Sequence, residues 1–380
     1  MRITPMWNMR LASLIQVAGL GLLGSFETVQ MKDLGLTEAQ IGMVLGVEHG
    51  LMIFTALAWG RLADKTRLLR NCITISTVGM VVTFAWFSQA ETFAGFMGYG
   101  VLRGLFMPAI IGLMPALALA NLDPSKPGSG FGGYRRYGSI GFLFAATGLP
   151  LIFSDIPTMA LVAMLYVPIS IWFVRRLKDP VLEKDTADTR PPPVNSLALK
   201  WFLVASFFVS FADPGAHGFF NTYARELGAS IEWVGVLTGM TGLIALFTLG
   251  YMGRLADRIG AGRLLVLGFT AQGLRMLTNS VITNPDWLWV PHLFHSFGFA
   301  GKEVATLLFL SALLGKTRWG MASSLLVAMR MSGMMAGSFL MGWLAENYGY
   351  PVMFQVIAAC VGIGMIALWM ALRARTALET

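Results

Sequence analysis

The sequence predicts an all-α membrane protein with twelve transmembrane helices in two pseudo-symmetric six-helix bundles. Charge-free stretches of about 18 to 24 residues recur along the chain, the length a helix needs to cross roughly 30 Å of hydrocarbon. The 380 residues are 56% hydrophobic and only 13% charged, against about 25% charged in a soluble domain. The second half of the chain repeats the first in register. Strands are excluded as spanning elements because the apolar and polar alternation of a membrane barrel is missing. The 43 glycines and 24 methionines suit close helix packing where lipid offers no hydrophobic drive for association.

Taken in order, the predicted spans are 10–31, 39–60, 71–89, 93–119, 137–154, 157–174, 199–222, 232–252, 263–282, 287–313, 321–342 and 350–371. Their connections alternate in charge. One set carries Arg61, Lys65, Arg67 and Arg70, then Lys126, Arg135 and Arg136, then Arg175, Arg176 and Lys178, then Arg254, Arg258 and Arg263, then Lys316 and Arg318; the other carries only Lys32 and Arg225. Positively charged loops stay in the cytoplasm, which places the first set there. Both termini go with it, since Arg2 and Arg10 precede the first span and Arg373 and Arg375 follow the last. The net charge of +8 and the pI near 9.7 therefore express topology and not a nucleic-acid surface. The first span is too long for a signal peptide and has no small-residue cleavage site. Trp86, Trp233, Trp287 and Trp289 fall near one set of span ends and Trp59, Trp172, Trp201 and Trp319 near the other, as interfacial belts require. Cys72 and Cys360 lie inside predicted helices, so neither a disulfide framework nor a zinc cluster is expected.

The longest polar connection, RRLKDPVLEKDTADTRPPPVNS, combines charge with three consecutive prolines and cannot bury enough surface to fold alone. It divides the chain into an N-terminal bundle, 1–174, a linker, 175–198, and a C-terminal bundle, 199–380. Adding 193 to positions 32–67 reproduces the pattern without a gap. Leu34, Gly35, Gly42, Gly46, Phe54, Gly60, Arg61, Leu62, Ala63 and Asp64 match Leu227, Gly228, Gly235, Gly239, Phe247, Gly253, Arg254, Leu255, Ala256 and Asp257. Repeats of this kind build transporters whose solute site lies near the midplane between the halves.

The segments WGRLADKTRLLR at 59–70 and MGRLADRIGAGR at 252–263 resemble the cytoplasmic loop signature of the major facilitator superfamily, placed after the second and eighth helices as in that family. The first copy lacks the glycine expected after Thr66. The resemblance implies an ion-pair latch that biases inward against outward opening, a role it assigns to Asp64, Arg67, Asp257 and Arg263. GGYRRYGSIGFLF at 132–144 and HLFHSFGF at 292–299 are similar to the fifth and tenth helices of proton symporters for phenylpropionate, nucleosides and oligosaccharides. The glycine-proline pattern of drug antiporters is missing from GSIGFLFAATGLPLI.

Ionisable groups at membrane depth cost several kcal/mol each and are candidates for function. Eight fall inside predicted spans: Glu27, Glu48, Asp213 and Glu303 against Arg103, Arg275, Lys302 and Arg330. In the resembled family the first, fourth, seventh and tenth helices line the cavity. That implies a path near Glu27, Arg103, Asp213, His217, His295, Lys302 and Glu303, with Arg330 on the cavity wall and Arg275 on a peripheral helix in a structural role. Arg103 is read either as a ligand for a carboxylate or hydroxyl-rich solute or as the partner of Glu48. Pro214 and Gly215 should disrupt the seventh helix and free carbonyls beside a cavity. Lys302 and Glu303 are adjacent, hence about 100° apart on a helix, so one can face the cavity while the other pairs sideways. His292 and His295 share a helix face, but no cysteine or paired carboxylate completes a metal site.

No catalytic carboxylate pair, serine nucleophile with its base, or metal cluster occurs at helical spacing, so an enzyme is not expected. ATP is excluded as the energy source because no phosphate-binding loop is present. A channel gives no reason for a gapless repeat carrying two latch loops. The expectation is a secondary carrier without cofactor that moves a small polar organic solute by alternating access, with proton symport preferred and proton-coupled export as the alternative. It is expected to be a monomer in a cytoplasmic inner membrane.

Overall fold

The computed structural model describes residues 5–121, 127–179, 196–314 and 319–376. Most of the linker, together with Arg2, Lys126, Lys316 and Arg318, lies outside the described residues. Twelve helical segments among the described residues correspond to the predicted spans, most ends within a few residues. They are α1 (Pro5–Asp33), α2 (Glu38–Thr66), α3 (Leu69–Phe87), α4 (Phe93–Ala120), α5 (Pro127–Ile152), α6 (Ile156–Val174), α7 (Ser196–Glu226), α8 (Ile231–Ile259), α9 (Ala261–Val281), α10 (290–314), α11 (319–348) and α12 (350–376). Helices α2 and α8 run six and seven residues beyond their predicted spans, and α5 starts ten residues before its own, which takes Arg135 and Arg136 into the helix. No strand occurs among the described residues. Gly349 takes a non-helical conformation (φ 81°, ψ 164°) between α11 and α12. Helices α5, α9 and α10 carry polar and charged side chains within their length: Arg135 and Arg136, then Gln272 and Arg275, then His292, His295, Lys302 and Glu303.

The repeat is visible in the caps. Thr37 starts α2 with its hydroxyl accepting from Gln40 N (3.3 Å) while Gln40 Oε1 accepts from Thr37 N (3.0 Å). Ser230, 193 positions later, starts α8 in the same extended conformation and accepts from Trp233 N at 3.2 Å. Such caps satisfy N–H groups that a helix start leaves without partners. The copies diverge at the other end of the same helices. Arg67 ends α2 in the left-handed region (φ 57°, ψ 23°), whereas Gly260 ends α8 at φ 84°, ψ 148°, a conformation open in practice to glycine alone. Both ends are closed by the same bond, Arg67 N donating to Ala63 O at 2.8 Å and Gly260 N to Ala256 O at 2.9 Å, so the missing glycine changes the direction in which the chain leaves the helix.

The two halves meet along α2 with α11, α5 with α8 and α1 with α7. A Cβ on Gly42 of α2 would lie 2.5 Å from Ser338 O and 2.9 Å from Gly342 Cα, so these backbones touch. Nearby, Glu346 Oε2 accepts from Ala39 N (2.8 Å), Thr28 Oγ1 donates to Gly218 O (2.9 Å), Asn221 Nδ2 donates to Ser25 O (2.5 Å) and Arg225 pairs with Asp33 at 3.7 Å. All these contacts sit at or toward the end opposite the basic loops. At the basic end, Arg70 binds Asp179 through Nε at 2.8 Å and backbone N at 2.9 Å, and its guanidinium donates to the carbonyls of Arg175 and Leu177. The α2–α3 connection is thereby fixed to the end of α6.

Two outcomes follow. Gly260→Ala should lower stability by about 1–3 kcal/mol, because it places a Cβ in a glycine-only conformation, while Arg67→Gly should leave stability equal or higher; thermal unfolding in detergent reads both. Glu346 caps the first turn of α2, and the Thr37 hydroxyl and the Ala39 N–H hold its carboxyl below the ordinary value of 4.5. A depressed carboxylate contributes its stabilisation above the ordinary value and loses it as pH falls through the depressed one. The contact therefore holds the seal at neutral pH and weakens below about pH 4.5, and Glu346→Ala should populate the state open at this end a few-fold more. Spin-label distances between the facing ends of α2 and α11 measure that shift, and unchanged distances at both pH values would contradict it.

Candidate transport site

Three charge-bearing features sit at the middle of the bundle. In the first half Arg103 of α4 points its Nη1 at two carboxylates, pairing with Glu27 of α1 and, at 3.1 Å, with Glu48 of α2. Tyr99, one turn before Arg103, donates to Glu27 Oε2 at 2.5 Å. All four side chains are buried. Gly24 makes room for the guanidinium: a Cβ there would lie 3.2 Å from Arg103 Nη2. Two carboxylates on one guanidinium leave one negative charge in excess, which a single proton cancels.

In the second half the charges pair one to one. Lys302 Nζ donates to Asp213 Oδ1 at 2.7 Å, and Arg330 reaches Glu303 at 2.7 Å and 3.2 Å. Asp213 Oδ2 is buried without a partner. These residues stand where two helices lose regularity. Helix α7 is cut into Ser196–Ser210, Ala212–Ala216 and Gly218–Glu226, with His217 at φ −130°, ψ −78°. The disruption expected from Pro214 and Gly215 appears at His217, and the carbonyl released is that of Ala216, which accepts from Arg275 Nη2 at 2.8 Å. Helix α10 opens with a 3-10 turn, Val290–Phe294, passes through a π-helical turn, Ser296–Gly301, and becomes regular at Lys302. Single π-turns of this kind concentrate at functional sites.

Between the halves, on the basic-loop side of the seal, lies a cavity of about 230 Å³ bounded by α1, α5, α7, α8 and α10. Its titratable lining groups are Tyr134, Arg135, His217 and His295; Ser13, Ser139 and Thr241 add hydroxyls, and Phe142 and Phe299 form aromatic walls. The imidazoles of His217 and His295 are 6.3 Å apart edge to face, and His295 stacks on Phe299 at 4.9 Å. Behind them His295 Nδ1 is 3.3 Å from Arg275 Nη1.

Of the residues singled out from the sequence, His217 and His295 line this cavity. Glu27, Glu48 and Arg103 form the buried cluster of the first half, while Asp213, Lys302, Glu303 and Arg330 form ion pairs in the second. Asp64, Arg67, Asp257 and Arg263 are exposed at the basic end, and none of them forms an ion pair among the described residues; in the first copy it is Arg70 that pairs. Sequence reasoning passed over Tyr99, although its spacing of four from Arg103 puts both on one helix face. It also read Arg135 as a topogenic charge, while the fold brings this residue to the cavity.

The sequence profile described as the MFS_1-like family matches residues 6–356. The chain belongs to that family of membrane transporters. It is 23% identical to the multidrug resistance protein MdtG of Proteus mirabilis and 26% identical to that of Citrobacter koseri, in each case over 94% of this chain and 92% of the relative. A mutant of the nucleoside transporter NupG superposes with a TM-score of 0.83 at 15% identity, covering 97% of this chain and 100% of its own. A POT family transporter in complex with 5-aminolevulinic acid superposes with a TM-score of 0.76 at 12% identity, covering 97% and 96%. This MFS_1-like member therefore has the two-bundle transporter fold.

Arg103→Gln leaves two carboxylates buried side by side and should cost about 3–5 kcal/mol. Glu48→Gln leaves one carboxylate on one guanidinium and should cost less than about 1.5 kcal/mol. Thermal or SDS unfolding of the two purified variants checks the order, and the reverse order would contradict the charge count.

Proposed function

We propose that this MFS_1-like protein is a proton-coupled carrier that takes up a small polar organic solute by symport, binding the solute in the cavity between residues 1–174 and 199–380. The supporting observation is the Glu27–Arg103–Glu48 cluster. Its excess negative charge is held in a medium where an uncompensated charge is costly, so one proton is the natural partner for it. Residues 25–28 tie this cluster to the seal: Ser25 and Thr28, on either side of Glu27, both bond α7 of the other half. Loading the cluster can thus bias the rocking of one bundle on the other, the motion of alternating access. The charge asymmetry of the loops supports a cytoplasmic basic end with both termini there, and relatives from bacteria support an inner-membrane location. A single chain encloses the cavity, which supports action as a monomer.

Export by proton antiport is the second reading. It is favoured by the similarity to MdtG proteins over 94% of the chain.

Proteoliposomes distinguish the two. A thermal-shift screen of carboxylates, glycosides, nucleosides and lipophilic cations supplies a solute, since ligands stabilise the state they bind. Symport predicts that adding the solute outside acidifies a pyranine-loaded lumen as solute enters, and antiport predicts alkalinisation. Glu48→Gln should abolish accumulation driven by a pH gradient while sparing solute exchange at equal pH. Normal accumulation by both Glu48→Gln and Glu27→Gln would remove the proton assignment.

A further inference from the structure

Arg275 of α9 is fully buried, with 2% of its surface exposed, and unlike Arg103, Lys302 and Arg330 it has no carboxylate in ion-pair distance among the described residues. Its bonds go to a neutral carbonyl, Ala216 O, and to a ring nitrogen, His295 Nδ1, and its Nε has no partner at all. Guanidinium has donors and no acceptor. The nitrogen it meets must therefore be the accepting one, so neutral His295 carries its proton on Nε2. That N–H, polarised by the cation behind it, is the group His295 can offer to the cavity it lines. His217 stands beside it with its ring edge to face, and Arg135 adds a second positive charge to the lining. No carboxylate is among the described residues that line the cavity. Asp213, four positions before His217, is held by Lys302 at 2.7 Å.

We infer that Arg275, acting through His295, makes the inner end of the cavity an anion site, and that the cargo is an organic anion whose carboxylate meets His295 Nε2 and His217. Its apolar body lies between Phe142 and Phe299. This deepens the carrier reading above and rests on it. Arg275 is a positioning residue here: it fixes the tautomer of His295 and supplies the charge the anion balances. A lipophilic cation would enter a cavity with a guanidinium at its lining and another behind it, and would find only aromatic faces to compensate its lost hydration.

Three probes of one shape test the assignment on the purified full-length protein: 2-naphthoate, 2-naphthamide and 2-naphthylmethylammonium, by isothermal titration without a pH gradient. The carboxylate should bind at least tenfold tighter than either analogue. His295→Phe keeps the stack on Phe299 and removes the donor, and should cut that preference to threefold or less, because the carboxylate loses more than the amide from the missing donor. Arg275→Lys should retain the preference and Arg275→Met should lose it; His295→Phe carries the test where Arg275→Met does not fold. A carboxylate bound no better than its analogues, or a preference that survives His295→Phe, overturns the anion site. Either result leaves the proton-coupled carrier standing, because that reading is decided by the separate flux assay on Glu48→Gln and Glu27→Gln.

Discussion

An unpaired charge in hydrocarbon costs several kcal/mol, and the interior of this protein is arranged around that constraint. Each of Glu27, Glu48, Arg103, Asp213, Lys302, Glu303 and Arg330 has an opposite charge within ion-pair distance. Meeting the constraint dictates local features that helix propensity would not. Gly24 stays small because Arg103 needs its volume, Tyr99 supplies a donor to a carboxylate that shares its cation, and α7 breaks at His217 so that a carbonyl can serve Arg275. Irregular backbone inside a membrane is tolerated where buried side chains or a cavity satisfy it. Here both do.

The same residues lie close to the surface on which the halves meet. Helix α1 carries Glu27 between Ser25 and Thr28, whose bonds reach Asn221 and Gly218 of α7. Helix α2 carries Glu48 next to His49, and His49 Nδ1 is 3.2 Å from Ser338 Oγ of α11. Further along α2 is the backbone contact of Gly42 with Gly342. The charge cluster of the first half is thus built on two helices that hold the seal. In the proposed cycle a change in its protonation acts on the helices that hold the seal, which is the physical requirement for coupling a site to alternating access.

Much of this was legible in the sequence. Span positions follow from the length of apolar runs, and the repeat of Thr37 at Ser230 survives as a shared cap because capping depends on one local side chain. The residues of the charge clusters were also nameable, since any ionisable group in a span stands out. Glu48 was nameable as a partner of Arg103, and the two do pair; the sharing of Arg103 with Glu27 was not, because the two are separated by 76 positions and only the packing of α1 against α4 brings them together. Arg135 looked like a loop charge because sequence places it beside Arg136, and only the approach of α5 to α8 turns it toward the cavity. Arg275 was assigned a structural role from its peripheral helix. The fold shows that its length carries its charge inward to α7 and α10. The π-turn at Ser296–Gly301 has no proline to announce it and follows from packing against α9, where Gly298 lies against Gln272.

Where the pairs fall has a consequence for loading. The four acids and four bases balance over the whole interior but not within each half. Leaving aside Arg135, which lines the open cavity, the buried cluster of the first half holds two carboxylates and one guanidinium, leaving one excess negative charge; in the second half two pairs are complete and Arg275 is left over as a positive charge. A proton on the first cluster alone would leave the interior with the unmatched charge of Arg275. An anion beside His295 alone would leave it with the unmatched negative charge of Glu27 and Glu48. With both bound, the buried cluster of each half is neutral by itself, which lowers the cost of rocking the halves against each other in hydrocarbon. On the proposed cycle the electrostatics of the two bundles therefore favour moving proton and anion together over moving either one alone.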